Sequence, residues 1–590
     1  MSNTYWQSVI QRRAGRRLVL GAVGGTALGA ALLTACGGGK DTSTAPAKNK
    51  SSLLSDPEDT TKKAVRGGVF QSSRTDDATT LDVITNNSSL SWTDMLQVYS
   101  HLVKAGLRSN KPDAFEGDLA QSWEVSPDGL QVTFKLRPDV KFDSRAPTNG
   151  RTLTSADVLY SWDAFKTLSP YRSEVFNSLS QAAPVTSVSA PDDRTVVVKQ
   201  AFPYGALVEM VGFAYYLYVM PKERETFDLR SQMRGTGPFR LTQYQPSVAL
   251  EYERNPDYYV KDRPFLDGIR RAIIPDYSAG LAQFESGTLW NFLVRQEDVL
   301  RVKQAHPELV MLKDLDIGIA SLASTPYIAL SQQPASPLRD VRVRRAASMM
   351  IDREAWINAF YNTDVFAKQG LEVETLWNAQ LPTGSPNWID PRKPEFGEGG
   401  KYFQLNPAEA KKMLEAAGQK NLRLSYFTQN RPLEAKQHEV LANMIQEGGS
   451  FAIDLKQLDY NTEWRDVCQR SAGDAYSGLC MNNSGGFNED AYLVAKYTPA
   501  GKYAVASRPI EGVTDAVLKA RQEPDPRKRS EMVLAIQKKL STEMLDIPVP
   551  GRAYQFSLRW PWLKNQGVFT TGGASSLEFN EYWYDASAKR

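Results

Sequence analysis

The first 35 residues decide the surroundings in which the rest of this chain folds, because they have the make-up of a segment removed on export. Arg12, Arg13, Arg16 and Arg17 stand there with no acidic residue. An uncharged stretch rich in Gly, Ala, Leu and Val then runs from Leu18 to Ala35 and stops at Leu33-Thr34-Ala35-Cys36-Gly37. Thr34 and Ala35 are small and directly precede a cysteine, which suits a lipoprotein peptidase with the Cys36 thiol as acceptor of a diacylglyceryl group. The competing reading is a membrane-spanning helix with an incidental cysteine. Gly21, Gly24, Gly25 and Gly29 argue against it by lowering hydropathy and helix propensity, and the stretch is slightly short for a span.

Leu33 to Cys36 resembles the bacterial lipobox, which makes residues 1–35 a signal peptide and places the mature chain on the outer face of the cytoplasmic membrane, at a cell surface or in a periplasm. Arg16-Arg17-Leu18-Val19-Leu20 also resembles a twin-arginine signal, and paired arginines equally suit general secretion. Removing the four arginines changes the electrostatic reading. The 70 Lys+Arg of the whole chain fall to 66 against 67 Asp+Glu, so the mature chain carries a formal charge of −1. Near-neutrality leaves no electrostatic case for a nucleic-acid partner. Outside the cytoplasm disulfides persist, so Cys468 and Cys480 are either a short-loop disulfide or two buried thiols. His101, His306 and His438 are scattered without metal-ligand spacing. No metal and no cofactor is expected.

From Gly37 to about Lys63 the chain is Gly, Ser, Thr, Lys, Asp and Pro with hardly an apolar residue, which reads as a tether across residues 36–65. The body beyond it, about 525 residues, is too long for one core. Its local signals are mixed α/β. Ser126-Pro127-Asp128-Gly129 is a turn between Trp123-Glu124-Val125 and a run in which Val132, Phe134 and Leu136 alternate with Thr133, Lys135 and Arg137. Thr154-Ser155-Ala156-Asp157 is a capping box opening a helix through Val158, Leu159 and Trp162. Asn406-Pro407, then Ala408 to Ala417 and Gly418, has a cap, a first-turn proline and a glycine stop. Thr195 to Val198 reads as a strand.

Several blocks together resemble the extracellular solute-binding proteins of family 5, the dipeptide-, oligopeptide- and nickel-binding group. Asp118 to Gly129, followed by Phe134-Lys135-Leu136-Arg137-Pro138-Asp139-Val140-Lys141-Phe142, is similar to its signature hairpin. Leu153-Thr154-Ser155-Ala156-Asp157-Val158 is similar to its next helix start. Gly235-Thr236-Gly237-Pro238-Phe239 with Glu253-Arg254-Asn255-Pro256-Asp257-Tyr258-Tyr259 is a third block, and Asp340 to Ala346 with Ile351-Asp352-Arg353-Glu354 a fourth. The blocks keep the family's order. The resemblance implies a bilobal, type II clam-shell of the periplasmic-binding-protein kind. Lobe I would hold residues 66–326 and 555–590, with an extra subdomain at about 113–230, and lobe II residues 327–554. The chain would cross near Tyr327 to Ser331 and return near Ile547 to Tyr554. It further implies a monomeric receptor that closes on a solute and delivers it to an ABC permease.

For the ligand, Gln429-Asn430-Arg431-Pro432 resembles the place where dipeptide binders supply an arginine to the peptide carboxylate, a task that suits the guanidinium fork; a solvated loop arginine is the plainer reading. In Cys480 to Leu493 the family's tryptophan falls on Asn482, and the aspartate that pairs with a peptide's amino terminus falls on Gly485. That anchor is missing, so Asn482, Asn483 and Ser484 would offer neutral donors and acceptors. A slip of one or two residues would return the role to Glu489 or Asp490. Among 12 Trp, 25 Tyr and 23 Phe, Trp377, Trp388 and Trp464 are candidates for stacking in the cleft, or else core. A peptide is therefore the first expectation and an oligosaccharide the second; a nickel complex suits so histidine-poor a chain least. A lipid-anchored hydrolase is disfavoured, since there is no Gly-x-Ser-x-Gly elbow, no His-Glu-x-x-His and no phosphate-cradling loop. The chain is expected not to be an enzyme. A ligand sensor for a membrane receptor would use the same fold.

Overall fold

The computed structural model describes residues 51–589 apart from 79, 87–88, 106–114, 214, 316–324, 372, 470 and 570–578. The signal stretch, the arginine pairs, Cys36 and most of the tether lie outside the described residues.

Local chemistry builds the elements as the sequence leads one to expect. Ala120–Val125 and Gln131–Leu136 pair antiparallel around the turn, where Gly129 takes φ +69° and its N–H donates to the Ser126 carbonyl at 2.8 Å. Val132, Phe134 and Leu136 are buried on one face. The helix Ser155–Leu168 begins with the Asp157 carboxylate accepting from the Thr154 N–H at 3.0 Å. The helix Pro407–Ala416 begins with Asn406 Oδ1 accepting from the Glu409 N–H at 3.1 Å, and Gly418 beyond it has φ +73°. One element had no signal in the sequence: Tyr460–Gln469 is a π-helix, wound more widely than an α-helix.

Three hydrophobic cores organise these pieces. The first lies on a four-stranded sheet ordered Val69–Arg74, Gly268–Ile273, Ala249–Arg254, Phe239–Gln245, and draws mainly on residues 70–99, 218–311 and 556–582. The second surrounds a five-stranded sheet ordered Phe451–Leu458, Leu422–Gln429, Gly478–Ser484, Thr325–Leu330, Ile547–Pro548, and takes all but one of its buried residues from 327–553. The third packs on the four-stranded sheet holding the Ser126–Gly129 hairpin and draws on residues 102–219. It also receives Phe487 and Ala491 from the far end of the chain. Two strands pass side by side between the first and second cores. Thr325–Leu330 pairs with Ile547–Pro548 at Tyr327 and Ile328. Gly551–Arg559 then pairs with Thr375–Trp377 at its start and Val310–Leu315 at its end.

Candidate ligand-binding cleft

The strand Gly478–Ser484 lies in the middle of its sheet and is almost wholly buried. Its hydrogen bonds run to Thr325–Leu330 on one side and to Ser425–Phe427 on the other. Three further ties hold it to the π-helix beside it. Cys480 is joined to Cys468 as a disulfide, with Cα atoms 5.8 Å apart. The Trp464 indole N–H donates to the Met481 carbonyl at 2.9 Å, and Asn482 Nδ2 donates to the Cys468 carbonyl at 2.9 Å.

Beyond Ser484 the chain breaks out of the sheet through Gly485 and Gly486 and enters the helix Glu489–Tyr497, capped by Asn488, whose Oδ1 accepts from the Ala491 N–H at 3.0 Å. A Cβ at Gly486 would come within 2.4 Å of the Tyr492 nitrogen, so only glycine lets the chain turn this tightly onto the helix. This turn carries Phe487 into the third core, 5.8 Å from the rings of Phe213 and of Tyr216. At that meeting point Tyr171, Phe213, Tyr215, Tyr216 and Tyr503 line, with Gly485 and Gly486, a small cavity. Tyr171, Phe213, Tyr215 and Tyr216 come from the third core, Gly485 and Gly486 follow the strand Gly478–Ser484, and the Tyr503 carbonyl accepts from the hydroxyl of the second-core residue Tyr327 at 3.3 Å.

Charged groups surround this aromatic box. Glu174 is buried; one carboxylate oxygen accepts from the Tyr216 hydroxyl and the other has no hydrogen-bond partner. Burial pushes its carboxyl above the usual range, while the Tyr216 hydrogen bond and the charges of Lys502 and Arg521 pull it back. The Lys502 ammonium stands 3.4 Å from the centre of the Tyr171 ring and 5.1 Å from that of Tyr503. Alongside, contacts join the third core to the segments after residue 485. The Tyr204 hydroxyl donates to Asp490 at 2.8 Å, Asn488 Nδ2 donates to Glu209 at 2.9 Å, and Arg521 lies 4.8 Å over the Tyr204 ring and 3.7 Å from Asp490.

The residues singled out in the sequence fall unevenly on this geometry. Gly485 lines the cavity. Asn483 is half-buried on the strand leading to it, paired in register with Pro326. Asn482 does not serve the cavity, since its Nδ2 is spent on Cys468 and its Oδ1 accepts from the Asn483 N–H at 2.8 Å. Trp464 is a correction to the stacking expectation: it is wholly buried in the second core, its ring stacked 5.4 Å from Tyr460. Trp377 and Trp388 are also structural there, with indole N–H groups donating to Glu354 and to the Trp377 carbonyl. Asp490 is committed to Tyr204 and Arg521, and Glu489 accepts from the N–H and Nδ2 of Asn387, both at 2.6 Å. Neither carboxylate lines the cavity. Arg431 stands at the N-cap position of the helix Pro432–Gln446 with no side-chain cap bond, 4.1 Å over the Tyr460 ring and 3.6 Å from Asp76. It does not line the cavity. The aromatic walls themselves went unread, although Tyr215-Tyr216-Leu217-Tyr218 is a dense enough run to have drawn notice.

Comparison with known proteins decides the family. Residues 114–503 match the model described as bacterial extracellular solute-binding proteins, family 5 Middle, which is more than half of the chain. The chain belongs to this family. It is 26% identical over 443 residues to the dipeptide-binding protein of Escherichia coli strain K12, covering 70% of this chain and 76% of that one. It is also 26% identical over 340 residues to heme-binding protein A of Haemophilus influenzae, a match spanning 55% of this chain and 57% of that relative. In fold it is similar to the ABC transporter-associated periplasmic binding protein DppA of Helicobacter pylori in complex with peptide STSA, with a TM-score of 0.72 at 18% identity over 89% of this chain and 99% of that one. The family 5 member thus has the periplasmic-binding-protein fold, and its aromatic box lies where the third core meets the turn leaving the five-stranded sheet. Among the described residues, no helix is long and apolar enough to cross a membrane.

Proposed function

We propose that this family 5 protein is the solute receptor of an ABC importer, that lipid on Cys36 holds it outside the cytoplasmic membrane, and that it closes on an oligopeptide-like solute for delivery to its permease. The observation that carries this reading is the cavity lined by third-core rings on one side and by the glycine turn that leaves the five-stranded sheet on the other, flanked by the Tyr204–Asp490 and Asn488–Glu209 contacts. A cavity split in this way couples binding to closure, because a ligand favours the closed state only through contacts made to both halves. The peptide-binding relatives support a peptide as the solute. Without an aspartate at Gly485, a free amino terminus has no carboxylate from that position. The peptide is therefore held by other groups of the box or is blocked at that end.

The test is a thermal-shift screen of the purified chain lacking residues 1–36 against di- to nonapeptides and oligosaccharides, with mass spectrometry of any small molecule released on denaturation. A ligand present at about 100 times its Kd stabilises the folded state by about 2.7 kcal/mol, which moves the melting temperature measurably. Capture predicts a shift with at least one class and no turnover of it. No shift with any member, together with no released molecule, sinks the reading.

A further inference from the structure

A larger hollow lies apart from the aromatic cavity, and no residue lines both. Its volume is about 260 Å³, close to the lower limit of about 300 Å³ for pockets that hold small molecules. One wall belongs to the third core, with Val125 and Val132 of the hairpin followed by Pro203 and Leu207. The opposite wall is Pro524, Pro526 and Arg529, at the start of the helix Pro526–Glu543. That helix is set in the second core through Val533, Ile536 and Leu540, so an occupant of the hollow touches elements of two cores.

Three observations give the occupant its chemistry. Most of the lining is apolar, and Val125 is exposed although it belongs to that lining. Gly205 also lines the hollow, yet its φ is not positive and a Cβ there would meet nothing within 4 Å. Neither backbone geometry nor crowding calls for glycine at this position; what the missing side chain provides is room. Arg529 supplies the polar end. It is half-buried, its Nη1 donates to the Glu523 carbonyl at 2.8 Å, and among the described residues no carboxylate pairs with it. The acids beside it are engaged elsewhere. Glu523 accepts from the Asp525 N–H at 2.9 Å, and Asp525 accepts from the N–H groups of Arg527 and Lys528 at 2.8 and 3.3 Å. Arg521 on the preceding helix, in contrast, has Asp490 at 3.7 Å. A guanidinium that keeps donors to spare against apolar walls suits a planar anion, and a carboxylate matches its fork.

We propose that this hollow is a second ligand site, separate from the aromatic cavity, for a small amphiphilic acid. Its apolar body lies between the Val125–Val132 hairpin and the two prolines, over Gly205, and its carboxylate meets Arg529. Charge at one end of an apolar body is the feature selected, since an alcohol of the same shape fills the hollow and leaves Arg529 without an anion.

Isothermal titration of the chain lacking residues 1–36 tests this with paired probes, octanoate against octanol and hydrocinnamate against hydrocinnamyl alcohol. The expected result is that at least one acid binds about tenfold or more tighter than its alcohol; which pair shows the difference tells a chain-shaped body from a ring. Arg529→Gln should erase that ratio. Gly205→Leu, which puts a side chain into the hollow, should weaken acid and alcohol alike by about tenfold or more. Urea midpoints show whether each variant is folded, and if one is not, the other decides. Equal binding within both pairs, no binding by any probe, or acid binding unchanged in either folded variant overturns the proposal. Each of those results leaves solute capture to the peptide and oligosaccharide screen, which does not depend on this site.

Discussion

The Tyr204 hydroxyl donates a hydrogen bond of 2.8 Å to the Asp490 carboxylate across 286 residues of sequence. It joins the third core to the helix that leaves the five-stranded sheet, and Arg521 lies over the same tyrosine and beside the same carboxylate. Tyr204→Phe removes one hydrogen bond to a charged group, worth about 1.5–3 kcal/mol. Solute affinity should fall by about ten- to a hundredfold, with little change in the unfolding midpoint of the ligand-free chain. Asp490→Asn should cost more, because it removes the anion 3.7 Å from the buried Arg521 guanidinium as well as the Tyr204 acceptor charge. A double-mutant cycle on affinity checks the coupling, and strict additivity would assign the two residues no shared role.

The first core contains its own ion cluster. Asp94 is wholly buried, paired with Arg74, 2.7 Å from Arg271, and accepts from the Tyr252 hydroxyl at 2.8 Å. Asp94→Asn strands two buried guanidinium groups and should destabilise the protein by about 3–5 kcal/mol. Urea unfolding followed by tryptophan fluorescence measures it; a loss under about 1 kcal/mol would mean that water reaches the cluster.

Two imidazoles make the protein sensitive to acid. Burial pulls His438 down to about 3 and His101 to about 4. Each therefore stays neutral in the folded protein while its unfolded counterpart takes up a proton below about pH 6.5. The stability they contribute is complete above that pH and is lost progressively as the pH falls through the unfolded value toward the folded ones. At pH 5 the loss should be about 2 kcal/mol for each ring. Urea midpoints at pH 7, 6 and 5 test the trend, and NMR of the histidine rings should show both unprotonated throughout that range.

The anchor is tested in cells. Cys36→Ser should abolish signal cleavage at residue 35 and the incorporation of labelled fatty acid. A fatty-acid label retained by the Ser variant would contradict attachment at Cys36.

What the sequence disclosed and what it hid divide by range. The Ser126–Gly129 turn and the caps at Thr154 and Asn406 depend on residues within a few positions, and they stand as read. Gly485, singled out through its order relative to the helix start, a local relation as well, lines the cavity. Trp464 and Asn482 went astray because their surroundings depend on strand order. Gly478–Ser484 is covered by segments at 325–330 and 422–429, which no local pattern announces. The aromatic box was hidden for the same reason, since Tyr171, Tyr216 and Tyr503 meet only through tertiary packing. Glu174 and Lys502 look like ordinary surface charges until that packing buries the first and lays the second against a ring.

The covalent and hydrogen-bonded ties between Gly478–Ser484 and the π-helix have a mechanical meaning. A disulfide and two side-chain hydrogen bonds rivet three successive residues, Cys480, Met481 and Asn482, to one stiff block. Compliance is thereby expelled from the strand and concentrated at its outlet, the two glycines that form the cavity floor. Past those glycines the helix Glu489–Tyr497 is set mainly in the same second core through Tyr492, Leu493, Val494 and Tyr497, so strand and helix press Phe487 and Ala491 against the third core as the projecting edge of one body.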